Sequence, residues 1–320
     1  MRKPINKQTY HLLTLLIINI LILLVLIIIA PEFRKFFTYS LLMQRMAEFA
    51  VLSTGVTVVI LSGGLDLSFG STLALSGALC GIFYNLGIPF TFSVVISLLI
   101  CTLMGLFNAL FIVRLGIHPI VITLAMMIII RSLVYGITGG ETVTGYSEAF
   151  IDFSNKFFFK IPVQFYVFII IFAFMSVLIN KTIMGMHIIA IGQNEKAAII
   201  SGILVNKIKY IVYSINGFLA GVSGILIVSR TNSLPPRTGD FALIEVVTAI
   251  VVGGVLMTGG EGTLIGPFLG VLIIYLLRTG FSILGIDVSY NLILLSLTLI
   301  IVLGRQQIAS IFSKIYVRKK

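Results

Sequence analysis

The chain has 320 residues, of which 58% are hydrophobic and 10% charged, and its mean hydropathy is +1.15. So few charges cannot cover a water-soluble fold of this size, so the composition excludes a soluble protein and points to a polytopic membrane protein. The formal net charge of +11 calls for no nucleic acid, because the basic residues stand beside apolar runs, where membrane topology accounts for them.

The first apolar run, residues 12–29, follows Arg2, Lys3 and Lys7. It is too long for the apolar part of a secretory signal and has no small-residue cleavage site before Pro31, so it reads as an uncleaved anchor helix. Further spans are expected at residues 47–61, 71–86, 91–113, 119–137, 163–179, 210–228, 242–257, 264–277 and 292–303. The expected fold is all-α and integral to the membrane, a single domain over 1–320 with about ten transmembrane helices.

Two places interrupt this pattern. Residues 47–61 and 71–86 are each shorter than the about twenty residues a straight span needs, and SGGLDLSFG stands between them. A break through Gly63, Gly64, Asp66, Ser68 and Gly70 is the simplest reading, with an ordinary cytoplasmic turn between tilted helices as the alternative. Irregular backbone at membrane depth survives only where protein or a watery cavity surrounds it, and an acid there is a functional candidate. Glycine at 64 and 70 is expected to supply backbone angles that a side chain would hinder, and Asp66 to anchor the turn. A second break is expected at Gly259, Gly260, Glu261 and Gly262; paired broken segments point to a transport site.

Basic residues set the orientation. Arg2, Lys3, Lys7, Arg114, Lys181, Lys196, Lys207, Lys209, Arg305, Lys314, Arg318, Lys319 and Lys320 fall on one side, outnumbering those assigned to the other (Arg34, Lys35, Arg45, Lys156, Lys160, Arg230, Arg237 and Arg278), which puts both termini in the cytoplasm. The pairs Gly77–Gly81, Gly217–Gly221 and Gly266–Gly270 are spaced for close helix packing. Cys80 and Cys101 lie in apolar runs and are assigned to packing, and His11, His118 and His187 form no ligand set. Arg131 is expected to snorkel or pair with an acid, and Glu245 to be interfacial.

Residues 181–209 form the longest piece on the inner side, with a short helix expected after Asn194. Its small face, Ala197, Ala198, Ser201 and Gly202, suits a partner's groove or the membrane surface equally well. The chain has no G-x-x-x-x-G-K-[ST] phosphate cradle, no G-x-S-x-G elbow and no H-E-x-x-H helix, so ATP chemistry and hydrolysis have no seat in it.

Four stretches, VVILSGGLDLSFGSTLALSGAL, ITLAMMIIIRSLVYGITGG, GMHIIAIGQNEKAAIISGI with the following VNKIKYIVYSINGFLAGVSGI, and GGEGTLIGPFLGVLII, occur in this order. They resemble the ribose-type sugar permeases of bacterial ABC importers, within a superfamily that also carries branched-chain amino acids, other sugars and a furanosyl signalling molecule. The resemblance implies a non-enzymatic subunit of the bacterial inner membrane that pairs with a second permease, identical or paralogous, and receives a ribose-like sugar from an external binding protein. It also implies a cytoplasmic ABC ATPase that holds ATP and Mg, with no cofactor in this chain, docked on residues 192–203 through Gly192, Asn194, Glu195, Ala197, Ala198, Ser201 and Gly202. The tail from Lys314 to Lys320 and the outer loop from Tyr146 to Lys160, within the external stretch 139–162, match no motif of the family. Along the path, Ser53, Thr54, Thr57, Ser62, Ser68, Asn108 and Thr123 are candidate hydrogen-bonding groups for a neutral sugar, although such residues also bond their own helices. An alternative mechanism is an ion-coupled secondary transporter using Asp66, Glu245 or Glu261.

Overall fold

The computed structural model describes residues 7–302 and 304, apart from 288 and 291. Arg2, Lys3, Arg305 and the basic tail at 314–320 lie outside the described residues. In chain order the helices are α1 (Lys7–Ile29), α2 (Phe36–Leu61), α3 (Phe69–Asn85), α4 (Phe90–Leu115), α5 (Pro119–Thr138), α6 (Glu148–Asn155), α7 (Val163–Lys181), α8 (Ile183–Gln193) and α9 (Glu195–Ile200). They continue with α10 (Val205–Thr231), α11 (Ala242–Val252), α12 (Ile265–Ile283) and α13 (Leu292–Val302). Two short antiparallel ladders, β1 (Val143–Thr144) with β4 (Ser233–Leu234) and β2 (Phe157–Phe158) with β3 (Ile161–Pro162), tie down loops. Each expected span holds a helix, although the one expected at 242–257 ends at Val252 and residue 303 lies outside the described residues. Among the described residues seven helices, α1, α2, α4, α5, α7, α10 and α12, are long and apolar enough to cross a membrane.

Sequence punctuation sets several helix ends. Pro119 opens α5, where its missing N–H costs nothing. Gly116 and Gly139 close α4 and α5 at φ +64° and +62°, angles that favour glycine.

α10 runs through the centre, packed along α2, α3 and α4, while α12 lies against α1, α2 and α11. The most apolar 18-residue window of α2 is 89% buried and that of α1 only 17%. This explains a departure from the expected boundaries: α2 begins at Phe36, not at residue 47. Gln44 and Glu48 are buried among neighbouring helices, so the helix continues through residues that lipid would have penalised. The segment before the first break is therefore of full length, and only α3, with 17 residues, is short.

The expected close approaches occur within the chain. A Cβ on Gly217 would lie 3.0 Å from Gly105 N, and one on Gly221 3.0 Å from Cys101 Cβ, so α4 and α10 meet nearly backbone to backbone. Gly270 lies against Ala249 and Gly266 against Gly253, joining α11 to α12.

At 27 residues α10 is about 40 Å long, and it separates two ends of the bundle. At its last turn, Gln164 Nε2 donates to Ser154 Oγ at 2.6 Å and to Ser229 Oγ at 2.7 Å, joining α6, α7 and α10. At its first turn lie α8 and α9.

Candidate functional site

The first break is built around a buried carboxylate. After α2 closes at Ser62, Gly63 turns at φ +76° and the chain leaves helical geometry until α3 starts at Phe69. Asp66 is 3% exposed. Its Oδ1 accepts from Ser68 N at 2.8 Å and Ser68 Oγ at 2.6 Å, and its Oδ2 accepts from Asn216 Nδ2 at 2.9 Å and Asn108 Nδ2 at 3.4 Å. Tyr213 donates its hydroxyl to Leu65 O at 3.1 Å. The carboxylate thus closes the start of α3 and ties it to the middles of α4 and α10. The segment is protein-enclosed irregular backbone, the arrangement that membrane depth permits.

The glycine roles differ from expectation. Positive φ belongs to Gly63, not to Gly64 or Gly70. Gly64 is needed for space, since a Cβ there would come within 2.7 Å of the Tyr213 hydroxyl, and Gly70 likewise, with Gly239 O at 2.7 Å. Of the seven candidate polar groups, only Ser68 and Asn108 join the Asp66 cluster. Thr54, Thr57, Ser62 and Thr123 bond carbonyls of their own helices, and Ser53 Oγ is buried without a partner. Asn216 and Tyr213 escaped the sequence reading; a lone amide in an apolar span was the available signal for Asn216.

The two breaks touch. Gly259, Gly260 and Gly262 have φ of +88°, +74° and +146°; Gly260 N donates to Leu61 O at 3.0 Å, and a Cβ on Gly259 would lie 2.6 Å from Gly63 Cα. Gly192 packs against both segments, with Leu61 O and Gly260 N too near for any side chain. Gly192 is half-buried, so its lack of a side chain serves this close packing.

At the opposite end a cavity of about 290 Å³ opens between α2, α10, α11 and α12. Arg45, Arg230, Arg237 and Arg278 line it with Glu48, Asp240 and Glu245. Arg230 holds Glu48 in a two-point pair, Nε to Oε1 at 2.6 Å and Nη2 to Oε2 at 3.0 Å. Glu245 accepts from Arg278 and from the Tyr275 hydroxyl. Glu245 is thus 3% exposed and paired inside the fold, not interfacial, and Arg45, Arg230 and Arg278 are helix residues facing a cavity, not loop residues. Helical register brings them together, which no run of hydropathy reveals.

Arg131 pairs with an acid, as expected. Its guanidinium reaches Asp240 at 3.0 Å and donates to Pro236 O at 2.7 Å and Thr238 O at 2.8 Å, pinning the α10–α11 loop beside the start of α3. No group of three or more His, Cys, Asp or Glu side chains placed to hold a metal occurs among the described residues.

The short helix after Asn194 is α9, capped by Asn194 Oδ1 accepting from Ala197 N at 3.0 Å and braced by Lys209 on Glu195 at 2.6 Å. Asn194, Glu195, Ala197, Ser201 and Gly202 are exposed. Ala198 is not: at 4% exposure it faces the core. The exposed apolar residues are instead Ile199, 56% exposed, and Ile200, 86% exposed.

Residues 38–303 match the model of the branched-chain amino acid transport system permease component. The chain belongs to this permease family. The permease is 34% identical to the ribose import permease protein RbsC of Bacillus subtilis over 283 residues, covering 88% of each chain. It is 34% identical to the autoinducer 2 import system permease protein LsrD of Salmonella typhimurium over 80% of this chain and 79% of that one, and 31% identical to RbsC of Haemophilus influenzae over 88% of each. No solved structure matches it. It is a multi-span membrane permease subunit related to the ribose-type ABC importer permeases, a family whose permeases are not catalytic and whose ATP hydrolysis takes place in a separate ATPase.

Proposed function

We propose that this permease is the translocation subunit of an ATP-driven importer for a monosaccharide-sized solute. A binding protein delivers the solute at the α6 end, a second permease completes the path, and a cytoplasmic ATPase docks at the α9 end. The translocation element is the broken start of α3, with Gly63, Gly64, Asp66, Ser68, Gly70 and Asn108 setting its geometry. What carries this reading is α9, a short helix held rigidly by its cap and the Glu195–Lys209 pair while Ile200 stands 86% exposed beyond it. An apolar knob on a braced helix suits a protein groove. Ion coupling lacks comparable support, because Asp66 and Glu245 are already engaged by donors on neighbouring helices and Glu261 is exposed.

Ile199→Asp with Ile200→Asp is expected to leave expression and melting temperature unchanged and to abolish co-purification of the ATPase, because both side chains point away from the core. Retained ATPase and normal uptake in that variant would return α9 to the membrane surface. Ala198→Arg is unsuited to the test, since it would disrupt the fold itself.

The orientation has its own check. Cys80 and Cys101 are buried, so added cysteines report alone. In intact cells an impermeant thiol reagent is expected to modify Asp152→Cys and spare Lys196→Cys; the reverse pattern would invert the topology.

A further inference from the structure

Among the described residues, one guanidinium in the cavity at the α6 end has no hydrogen-bond or ion-pair partner. The cavity's three carboxylates are all engaged: Glu48 by Arg230, Glu245 by Arg278, and Asp240 by Arg131 and Arg237. Arg45 lines the same cavity, half-buried, and among the described residues has neither a hydrogen-bond nor an ion-pair partner. With Arg131, which reaches Asp240 from outside the lining, five guanidiniums meet three carboxylates, so the cavity is positive, and Arg45 is the one of its four lining guanidiniums that makes no ion pair among the described residues. A guanidinium withdrawn from water recovers its lost hydration only through an anion or strong acceptors, and its planar fork matches a carboxylate or phosphate.

The rest of the lining suits a small polyol. Phe49, Ile227 and Phe241 supply apolar wall, while the hydroxyls of Thr238 and Tyr275, which donate to Pro235 O and Glu245, keep lone pairs that can accept. The volume of about 290 Å³ is at the small end for ligand pockets and suits one sugar-sized molecule. Phe241 is 53% exposed and the Arg237 side chain 78% exposed, so the rim is open to entry from that end.

We propose that the cavity between α2, α10, α11 and α12 binds a monosaccharide-sized polyol bearing one anionic group, with Arg45 as the residue that takes that group. The proposal rests on the importer reading only in making this ligand the cargo; the site itself follows from the unanswered arginine and the closed pairs around it. Arg230 and Arg278 pair with Glu48 and Glu245, so the anion at Arg45 meets no unpaired acid among the lining residues.

The test is calorimetric titration of the purified full-length permease in nanodiscs with D-ribonate and with D-ribose, molecules of one size that differ in charge. Ribonate is expected to bind about tenfold or more tightly than ribose, the advantage of a charge-assisted pair over a neutral one. Arg45→Gln is expected to erase that difference while its melting temperature stays at the parent value, because Arg45 holds no partner in the fold. Arg45→Lys, which keeps the charge without the fork, should fall between the two. A further arm with inorganic phosphate separates recognition of any oxyanion from recognition of an acidic polyol, and the proposal expects phosphate to bind more weakly than ribonate.

Equal binding of ribonate and ribose, or an advantage that survives Arg45→Gln, would overturn the proposal. So would the absence of binding by any probe together with loss of binding-protein association in Arg45→Gln, since that assigns Arg45 to a protein carboxylate. Acid-selective binding by a permease that recruits no ATPase would leave the site standing and sink the importer reading. Recruitment of an ATPase without acid selectivity would do the opposite.

Discussion

Gly64→Val is expected to destabilise the permease by about 2–4 kcal/mol and Asp66→Leu by about 3 kcal/mol or more, and both to abolish uptake, whereas Gly136→Val leaves stability and uptake near the parent values. At position 64 the new Cβ would press on the Tyr213 hydroxyl and on Val59 Cγ1, 2.7 and 3.1 Å away, in a place walled by two helices. Either the break shifts or the Tyr213 bond to Leu65 O is lost. At position 66 the loss is of acceptors: Ser68 N, Ser68 Oγ and Asn216 Nδ2 would keep buried donors with nowhere to point them, at about 1–3 kcal/mol per unsatisfied group, while Asn108 retains Ser68 Oγ. Gly136 is the matched control, because a side chain there meets nothing within 4 Å and its φ is not left-handed.

Asp66→Asn separates shape from charge. One oxygen remains for Ser68, but the new amide would confront the Nδ2 groups of Asn216 and Asn108. Asn216 can relieve this by rotating its own amide, since its Oδ1 is buried and unpartnered. An intermediate melting temperature, between those of the parent and Asp66→Leu, is the expected result. Melting of Gly64→Val and Asp66→Leu at the parent temperature, with uptake intact, would refute a structural role for the break.

Glu48→Leu is expected to destabilise by about 3–5 kcal/mol, the cost of leaving one member of a buried pair without its partner. Glu48 is fully buried, and its loss would set Arg230 free beside Arg45 and Arg278 around one small cavity. Glu48→Leu combined with Arg230→Leu should recover at least about half of that loss, because the double change removes the stranded charge as well as the attraction. Thermal melting of the purified single and double variants measures this. A double variant less stable than Glu48→Leu alone would show that the Arg230 side chain matters through packing and not through charge.

Much of the fold is legible from composition and periodicity. Lipid-facing helices such as α1 and α5 must be apolar over most of their surface, and such runs announce themselves at their true positions. The break at Gly63 was legible because an acid among small residues is rare inside apolar sequence. Hydropathy failed for α2, which is enclosed by protein and so carries Gln44, Arg45 and Glu48 without interruption of the helix. It failed for Glu245 for the same reason.

Sequence alone determined the class of this protein, its all-helical architecture, the family motifs and the place of both interruptions, because each of these depends on the solvent a residue faces or on a local run of residues. Tertiary structure alone decided the partners of the buried carboxylates: Asn216 and Asn108 for Asp66, Arg230 for Glu48 and Arg278 for Glu245, and, among the described residues, none for the half-buried Arg45. It also decided that Ala198 faces inward while Ile200 faces out. These pairings join residues far apart in the chain through helix rotation and crossing, and in a low-dielectric interior it is such pairing that makes a charge tolerable.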